Sequence, residues 1–250
     1  MKPLLTKTAL AQLRLHVSEP CLWVFDFDGV LAPIIADREH AAVSEQTARL
    51  MAQLAAKVPV AVLSGRGRAD VKKRLSFKTR FLLGNHGLEG PPEFAHRREL
   101  AARATSKWAS ALRRLNRQSP VPGFDLEAKK YSLSIHFHKA RAREASLQTI
   151  LDWSASLRPR ARIVLGKGVV NLVHPRAATK GDGLLWLLKR TKLKRAVYIG
   201  DDVTDEDVFR LKDPRVFSIH VGRNLRSAAK YRLADRILVD RFLQACLAMA

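Results

Sequence analysis

Cys21-Leu22-Trp23-Val24-Phe25-Asp26-Phe27-Asp28-Gly29-Val30-Leu31-Ala32-Pro33-Ile34 is the stretch on which the reading of the chain turns. Leu22 to Phe25 is an unbroken apolar run, the pattern of a strand buried on both faces of a parallel sheet. It stops at Asp26-Phe27-Asp28-Gly29, two carboxylates two residues apart, a spacing that in extended chain aims both to one side. Gly29 then allows the backbone to turn back around whatever the carboxylates hold. Open α/β sheets place their chemistry just outside the carboxyl ends of such strands. Turn chemistry alone also accounts for Asp-x-Asp-Gly, since Asp and Gly are ordinary loop residues. The choice between the two readings rests on the rest of the chain.

The chain has 250 residues, enough for one large or two modest domains, and 47% are hydrophobic, which supports a folded core rather than wholesale disorder. Cys21 and Cys246 are the only cysteines, too few for a disulfide framework or a four-cysteine zinc site, so a reducing, cytoplasmic setting is expected. The polar residues Thr6, Lys7, Thr8, Gln12 and Arg14 interrupt the N-terminal apolar stretch, so neither a signal peptide nor a membrane span is expected. Forty-five Lys and Arg against 23 Asp and Glu give a formal charge of +22, an attraction toward polyanions that allows non-specific nucleic-acid binding. The basic clusters are distributed rather than gathered in a tail, so a solvated basic surface is the preferred explanation.

Outward from the first strand, Leu10, Leu13 and Val17 fit a short amphipathic helix ahead of it. Ser44 caps a helix running to Lys57, and residues 58 to 63 form a second buried strand. That strand ends in Ser64-Gly65-Arg66-Gly67, read as a helix start whose amides and Ser64 hydroxyl can hold an anion. Asp70 occupies the third position of the dinucleotide fingerprint where a small residue is needed, and no phosphate-binding P-loop occurs. Phe81-Leu82-Leu83 leads into Gly84-Asn85-His86-Gly87-Leu88-Glu89, and Pro91-Pro92 marks a boundary.

Residues 97 to 117 then read as a helix with a basic outer face. Residues 131 to 138 alternate, with Tyr131, Leu133, Ile135 and Phe137 opposite Ser132, Ser134, His136 and His138. A second helix over 141 to 157 and strands at 163 to 165 and 169 to 173 complete a helix, two strands, helix, two strands layer. Extended geometry through Gly166-Lys167-Gly168 would put Lys167 and Asn171 on one face. After Pro175, Thr179-Lys180-Gly181-Asp182 opens a capped helix, and residues 196 to 199 form a strand ending in Gly200-Asp201-Asp202. Residues 216 to 221 are expected to be the last core strand, before a closing helix within 234 to 247. The expected fold is therefore α/β: a Rossmann-like parallel-sheet core over residues 1–89 and 175–250, with an inserted α+β cap domain over 90–174.

Asp26, Asp28, Ser64, Asp201 and Asp202 stand at three strand ends and Lys180 at a helix start. Clustered carboxylates resist joint ionisation unless a cation neutralises them, and hard oxygen ligands favour magnesium. Asp201, at the strand tip, is assigned to the metal. Asp205 and Asp207 are read instead as N-terminal charges answering a helix dipole.

In order and spacing, Asp26-x-Asp28-Gly29, Ser64, Lys180 and Gly200-Asp201-Asp202 resemble the haloacid dehalogenase superfamily of phosphotransferases. Within it, LSGR at 63 to 66, GNHGLE at 84 to 89, Glu127-x-Lys129, Ser134-Ile135-His136, Gly166-Lys167 and YIGDDVTDED at 198 to 207 are similar to the trehalose-6-phosphate phosphatases. The resemblance implies hydrolysis of a sugar phosphate, with Asp26 as nucleophile and Asp28 as the acid and base. It implies that Ser64 and Lys180 hold the phosphoryl oxygens. Mg2+ would be bound by Asp26, Asp201 and the Asp28 carbonyl, with Asp202 orienting the metal shell from behind. Arg66, Asn85, His86, Glu127, Lys129 and Lys167 are implied substrate contacts, with His138 and Asn171 at two further substrate-contacting positions. There the family typically carries Arg and Glu, so a different glycosyl phosphate is a second expectation. Val30 in place of a common Thr is a milder departure. His136 and His138 also have the spacing of a metal pair, and a polyanion-binding protein with an idle site is a third alternative. A monomer is expected.

Overall fold

The structure, a computed structural model, describes residues 1–35, 40–137, 140–166 and 168–249. It divides into two compact units, Met1–Pro91 with Ala178–Ala250, and Pro92–Ala177. In chain order the first stretch holds β1 (Lys2–Pro3), α1 (Lys7–His16), β2 (Cys21–Phe25), α2 (Glu45–Lys57), β3 (Val60–Leu63), α3 (Arg68–Arg74) and β4 (Phe81–Leu83). The second unit follows with α4 (Ala95–Gln118), β5 (Asp125–Ala128), β6 (Ser132–His136), α5 (Arg143–Ser156), β7 (Arg162–Gly166) and β8 (Val169–Val173). The chain returns with α6 (Lys180–Thr191), β9 (Arg195–Gly200), α7 (Glu206–Phe209), β10 (Val216–Val221), β11 (Tyr231–Leu233) and α8 (Ile237–Leu247).

The first unit is an α/β domain whose seven strands are all parallel, in the order β1-β11-β10-β9-β2-β3-β4. An interior strand, β2, flanked by β9 and β3, has all five residues buried because both faces are covered. Trp23 and Phe25 join Met51, Leu54, Phe242 and Leu243 in one apolar cluster, while Leu22 and Val24 join Leu184, Leu187 and Leu188 in another. This period-2 division explains why the run reads as continuously apolar. Each such side chain contributes about 1.5–3 kcal/mol by leaving water.

Local signals fix the helix starts as the sequence suggests. Ser44 Oγ accepts the Thr47 amide at 3.1 Å, opening α2. Thr179 and Asp182 form a reciprocal capping box at α6: Thr179 Oγ1 accepts the Asp182 amide at 3.1 Å, and Asp182 Oδ2 accepts the Thr179 amide at 3.0 Å.

One expectation is corrected: β10 is not the last core strand, since β11 pairs with its outer edge and β1 with β11. A three-residue strand and a two-residue strand are too short to show periodicity, and Pro3 in β1 is tolerated because that strand is at the edge.

The second unit is an antiparallel sheet in the order β5-β6-β8-β7. Leu133, Ile135, Val170 and Leu172 pack with Trp108 and Leu112 of α4 and Ile150 of α5. Ser132, Ser134 and His136 alternate onto the other face, as expected from the sequence. Trp108 Nε1 donates to the Pro159 carbonyl at 2.8 Å, so its buried polar atom is satisfied and the ring serves as core.

Candidate active site

β9, β2, β3 and β4 are consecutive in the sheet, so their carboxyl ends adjoin. Asp26 leaves β2 with its amide still bonded to the Ile199 carbonyl of β9 at 2.9 Å. Ser64 leaves β3 with its amide on the Leu83 carbonyl of β4 at 3.0 Å. Asn85 and His86 follow β4, their amides reaching the Arg66 carbonyl at 2.7 Å and the Ser64 carbonyl at 2.9 Å. Both adopt positive φ, 47° and 58°. The His86 ring lies over Gly65, where a Cβ would meet its Cε1 at 2.5 Å.

Lys180 is the centre of the charged site. It is 1% exposed at the first turn of α6, and its Nζ lies 2.7 Å from Asp26 Oδ2 and 2.7 Å from Asp205 Oδ1. Burial alone would lower its pKa, but the two carboxylates more than reverse that and hold it as an ammonium. Burial pushes the Asp26 carboxyl up to about 7, with Lys180 pulling down and Asp205 pushing further up. Asp201 is pushed up to about 9, by burial first and then by Asp26 and Asp205. Asp26, Asp201 and Asp205 each offer an oxygen within 4.8 Å of the others.

Asp205 corrects a second expectation. It is a buried hub rather than a surface charge on a helix: its Oδ1 accepts from Lys180 Nζ at 2.7 Å and the Tyr198 hydroxyl at 2.6 Å. Oδ2 accepts the amides of Asp201 at 3.0 Å and Asp202 at 2.9 Å. Those four bonds saturate the carboxylate. The Asp202-x-x-Asp205 capping-box spacing was the available signal, and Tyr198 had none beyond its place in an apolar strand. Asp202 is itself exposed and reciprocates that box.

With Asp205 spent, Asp26 and Asp201 remain as the hard-oxygen pair facing an uncompensated excess of negative charge. That donor set fits a hard divalent cation. Gly29 at φ +74° makes room for the Asp201 carboxylate, since a Cβ there would fall 2.0 Å from Asp201 Oδ2.

The two carboxylates of the opening motif turn to different cations. Asp26 faces Lys180, whereas Asp28 accepts from Arg66 Nε at 2.7 Å and Nη2 at 2.8 Å. The Ser64 side chain is fully buried, and its Oγ accepts the Arg66 amide at 3.1 Å, leaving its hydroxyl proton to donate. The expected anion-holding helix start is corrected: α3 begins only at Arg68, whose amide donates to Glu89 Oε2 at 2.6 Å. A carboxylate from the chain itself occupies that end.

In the second unit, Glu127 Oε2 lies 2.9 Å from His136 Nε2 and 3.7 Å from Lys129 Nζ. Asn171 Oδ1 accepts from Ser134 Oγ at 2.7 Å, and its Nδ2 donates to the Val164 carbonyl at 3.3 Å, so Asn171 ties three adjacent strands. His138 and Lys167 lie outside the described residues, and with them the paired-histidine reading.

A family model described as trehalose-phosphatase matches residues 24–236, from β2 to the start of the closing helix. The chain belongs to the trehalose-phosphatase family. Among its relatives, the trehalose-phosphate phosphatase of Mycobacterium ulcerans strain Agy99 is 33% identical over 219 residues, 84% of this chain and 56% of that protein. The protein of the same name from Mycobacterium tuberculosis strain H37Rv is 32% identical over 198 residues, 76% of this chain and 51% of its own. The chain thus spans about half the length of the curated family relatives it matches. The solved C-terminal domain of C. albicans trehalose-6-phosphate phosphatase shares the fold, with a TM-score of 0.79 at 19% identity and full coverage of both chains. Aspergillus fumigatus trehalose-6-phosphate phosphatase, in crystal form 3, gives 0.68 at 21% identity, again over both whole chains. No helix among the described residues is long and apolar enough to cross a membrane.

Proposed function

We propose that the chain is a magnesium-dependent phosphatase hydrolysing trehalose 6-phosphate to trehalose and inorganic phosphate. The observation that carries this reading is the Asp26 carboxylate held beside Lys180 and Asp201 at the tip of β2, with the buried Ser64 at the tip of the neighbouring strand β3.

One Asp26 oxygen attacks phosphorus, the bond from phosphorus to the sugar oxygen breaks, and Asp28 gives its proton to the departing oxygen. Water then attacks the aspartyl-phosphate while Asp28 takes back a proton, and phosphate leaves with Asp26 restored. Lys180 and Ser64 donate to the equatorial oxygens, where transition-state charge is spread. Asp26, Asp201 and the Asp28 carbonyl, with Asp202 behind, would hold magnesium, which would supply the charge neutralisation that lets a carboxylate approach a phosphate dianion. Asn85 and His86 supply polar contacts to the sugar from the first unit, and Glu127, Lys129 and Lys167 are carried over as sugar contacts by the resemblance alone.

Purified protein is expected to release phosphate from trehalose 6-phosphate well above glucose 6-phosphate when magnesium is present, and to lose this with Asp26→Asn. Phosphate release that survives Asp26→Asn would end the mechanism.

A second reading, preference for another glycosyl phosphate, is favoured by Asn171, a neutral amide bonded to Ser134 and Val164 of the flanking strands where the family typically carries Glu. A panel of sugar phosphates separates the two, and a clear preference for trehalose 6-phosphate eliminates the second.

A further inference from the structure

Arg66 stands in a position that the phosphatase reading does not explain. Its side chain is 7% exposed, and its planar fork is occupied: Nε and Nη2 meet the two oxygens of Asp28 at 2.7 and 2.8 Å. Nη1 reaches Asp70 Oδ2 at 3.2 Å, and the other oxygen of Asp70 accepts from Arg74 Nε at 2.8 Å. The guanidinium carbon lies 5.6 Å from the centroid of buried Phe27, between the two carboxylates of the motif. The backbone is pinned as well, with the Arg66 amide on Ser64 Oγ at 3.1 Å and its carbonyl accepting the Asn85 amide at 2.7 Å. A guanidinium that recognises a phosphate or carboxylate does so with this same two-point fork. Here that fork is spent inside the protein.

Resting on the phosphatase reading, we infer that Arg66 is a positioning residue for Asp28 and makes no contact with substrate. Asp28 follows Phe27 in a turn, where a short side chain is free to rotate, and its side chain is 26% exposed. Two parallel hydrogen bonds from a buried, braced guanidinium fix both the direction and the plane of the carboxylate. The chain Asp28–Arg66–Asp70–Arg74 thus ties the proton-transferring group to α3, with Arg74 anchored on the Ala41 carbonyl at 3.2 Å. Proton transfer demands a placement that binding does not, so loss of the brace falls on turnover.

The test is a double-mutant cycle on kcat/KM with Asp28→Asn and Arg66→Gln, run on a sugar phosphate and on p-nitrophenyl phosphate, with inorganic phosphate as a competitive inhibitor. Arg66→Gln alone should lower kcat for the sugar phosphate by about 10²–10³-fold, the range of general acid–base contributions. KM and the phosphate inhibition constant should stay within about threefold. In the Asp28→Asn background the same change should cost no more than about twofold, because the group that it positions is gone.

Arg66→Lys keeps the charge without the fork and should fall between wild type and Arg66→Gln. Asp70→Asn should reproduce the kcat loss in weaker form, and both keep the idea testable if Arg66→Gln fails to fold. Additive losses in the cycle, or KM and the phosphate constant rising tenfold with kcat retained, overturn the inference while leaving the phosphatase reading intact. A wild-type protein inert toward both esters overturns the phosphatase reading and this inference with it.

Discussion

Gly29 and Asp201 compete for the same space: a Cβ on Gly29 would sit 2.0 Å from Oδ2 and 2.3 Å from Cγ of the Asp201 side chain. Glycine there is required twice, by its φ of +74° and by this contact. Gly29→Ala is expected to push Asp201 away from Asp26, weakening magnesium binding at least tenfold and abolishing phosphate release. Left-handed strain adds about 1–2 kcal/mol of destabilisation. Magnesium titration and thermal unfolding of the variant check both effects.

Asp205 is the strongest single anchor of the charged site. Asp205→Ala would leave the Lys180 ammonium with one carboxylate partner and the Tyr198 hydroxyl with none, inside the core. Breaking one side of such a buried ion pair costs about 3–5 kcal/mol. Asp205→Asn, which keeps the shape and one acceptor oxygen, is expected to cost less but still to lower activity by misplacing Lys180. Urea unfolding and phosphate release, measured on both variants, test this order.

Metal-free protein is expected to lose stability as pH rises from about 7 to about 9, above the range in which His16, His174 and His220, whose pKa values burial lowers, pull the other way. Folding raises the carboxyl pKa from 3.8 to about 7 at Asp26 and to about 9 at Asp201, so in this window the folded state binds more protons than the unfolded state. The contribution is complete below the unfolded value and is gone above the folded values. Lys180 is shifted upward from 10.5 and does not offset the trend within this range. Each kcal/mol lost lowers Tm by about 2–4 °C in a chain of this size. Thermal unfolding with EDTA across that pH range measures the slope, and a flat or rising profile contradicts the burial of these groups.

The same protonation predicts that magnesium binding at pH 7 expels protons, because a metal takes only the ionised carboxylate. Calorimetric binding enthalpies should differ between Tris and PIPES buffers at pH 7 by the number of protons released times the difference in buffer ionisation heat. The difference should vanish at about pH 10. Buffer-independent enthalpies at pH 7 would argue that Asp201 is already ionised.

Asn171→Ala is expected to cost about 1–2 kcal/mol of stability by leaving Ser134 Oγ and the Val164 carbonyl without their partner. Chemical denaturation shows it directly.

The features legible in the sequence were those whose cause is local. β2 announced itself because both faces are apolar, and α2 and α6 because Ser44 and Thr179 satisfy amides three residues ahead. The approach of Lys180 to Asp26 was legible only through the resemblance, since 154 positions separate them. Pairings made by tertiary packing left no pattern. Arg66 on Asp28, Lys180 and Tyr198 on Asp205, and Glu89 on the Arg68 amide all join residues whose spacing carries no period. β11 and β1 escaped for a different reason, as strands of three and two residues have almost no alternation to detect.

β2 is hydrogen-bonded to β3 on one side and to β9 on the other, yet β3 follows within 40 residues whereas β9 begins about 170 residues later. At about 5–20 residues per second, a ribosome exposes the bare edge of Cys21–Phe25 for some 10–30 s before its partner is made. During that interval the nascent chain carries a sticky, all-apolar ribbon and no catalytic centre. The cluster of Asp26, Lys180, Asp201 and Asp205 is therefore complete only late in translation, and a chain cut short before residue 200 is expected to leave one edge of β2 unpaired and prone to aggregation.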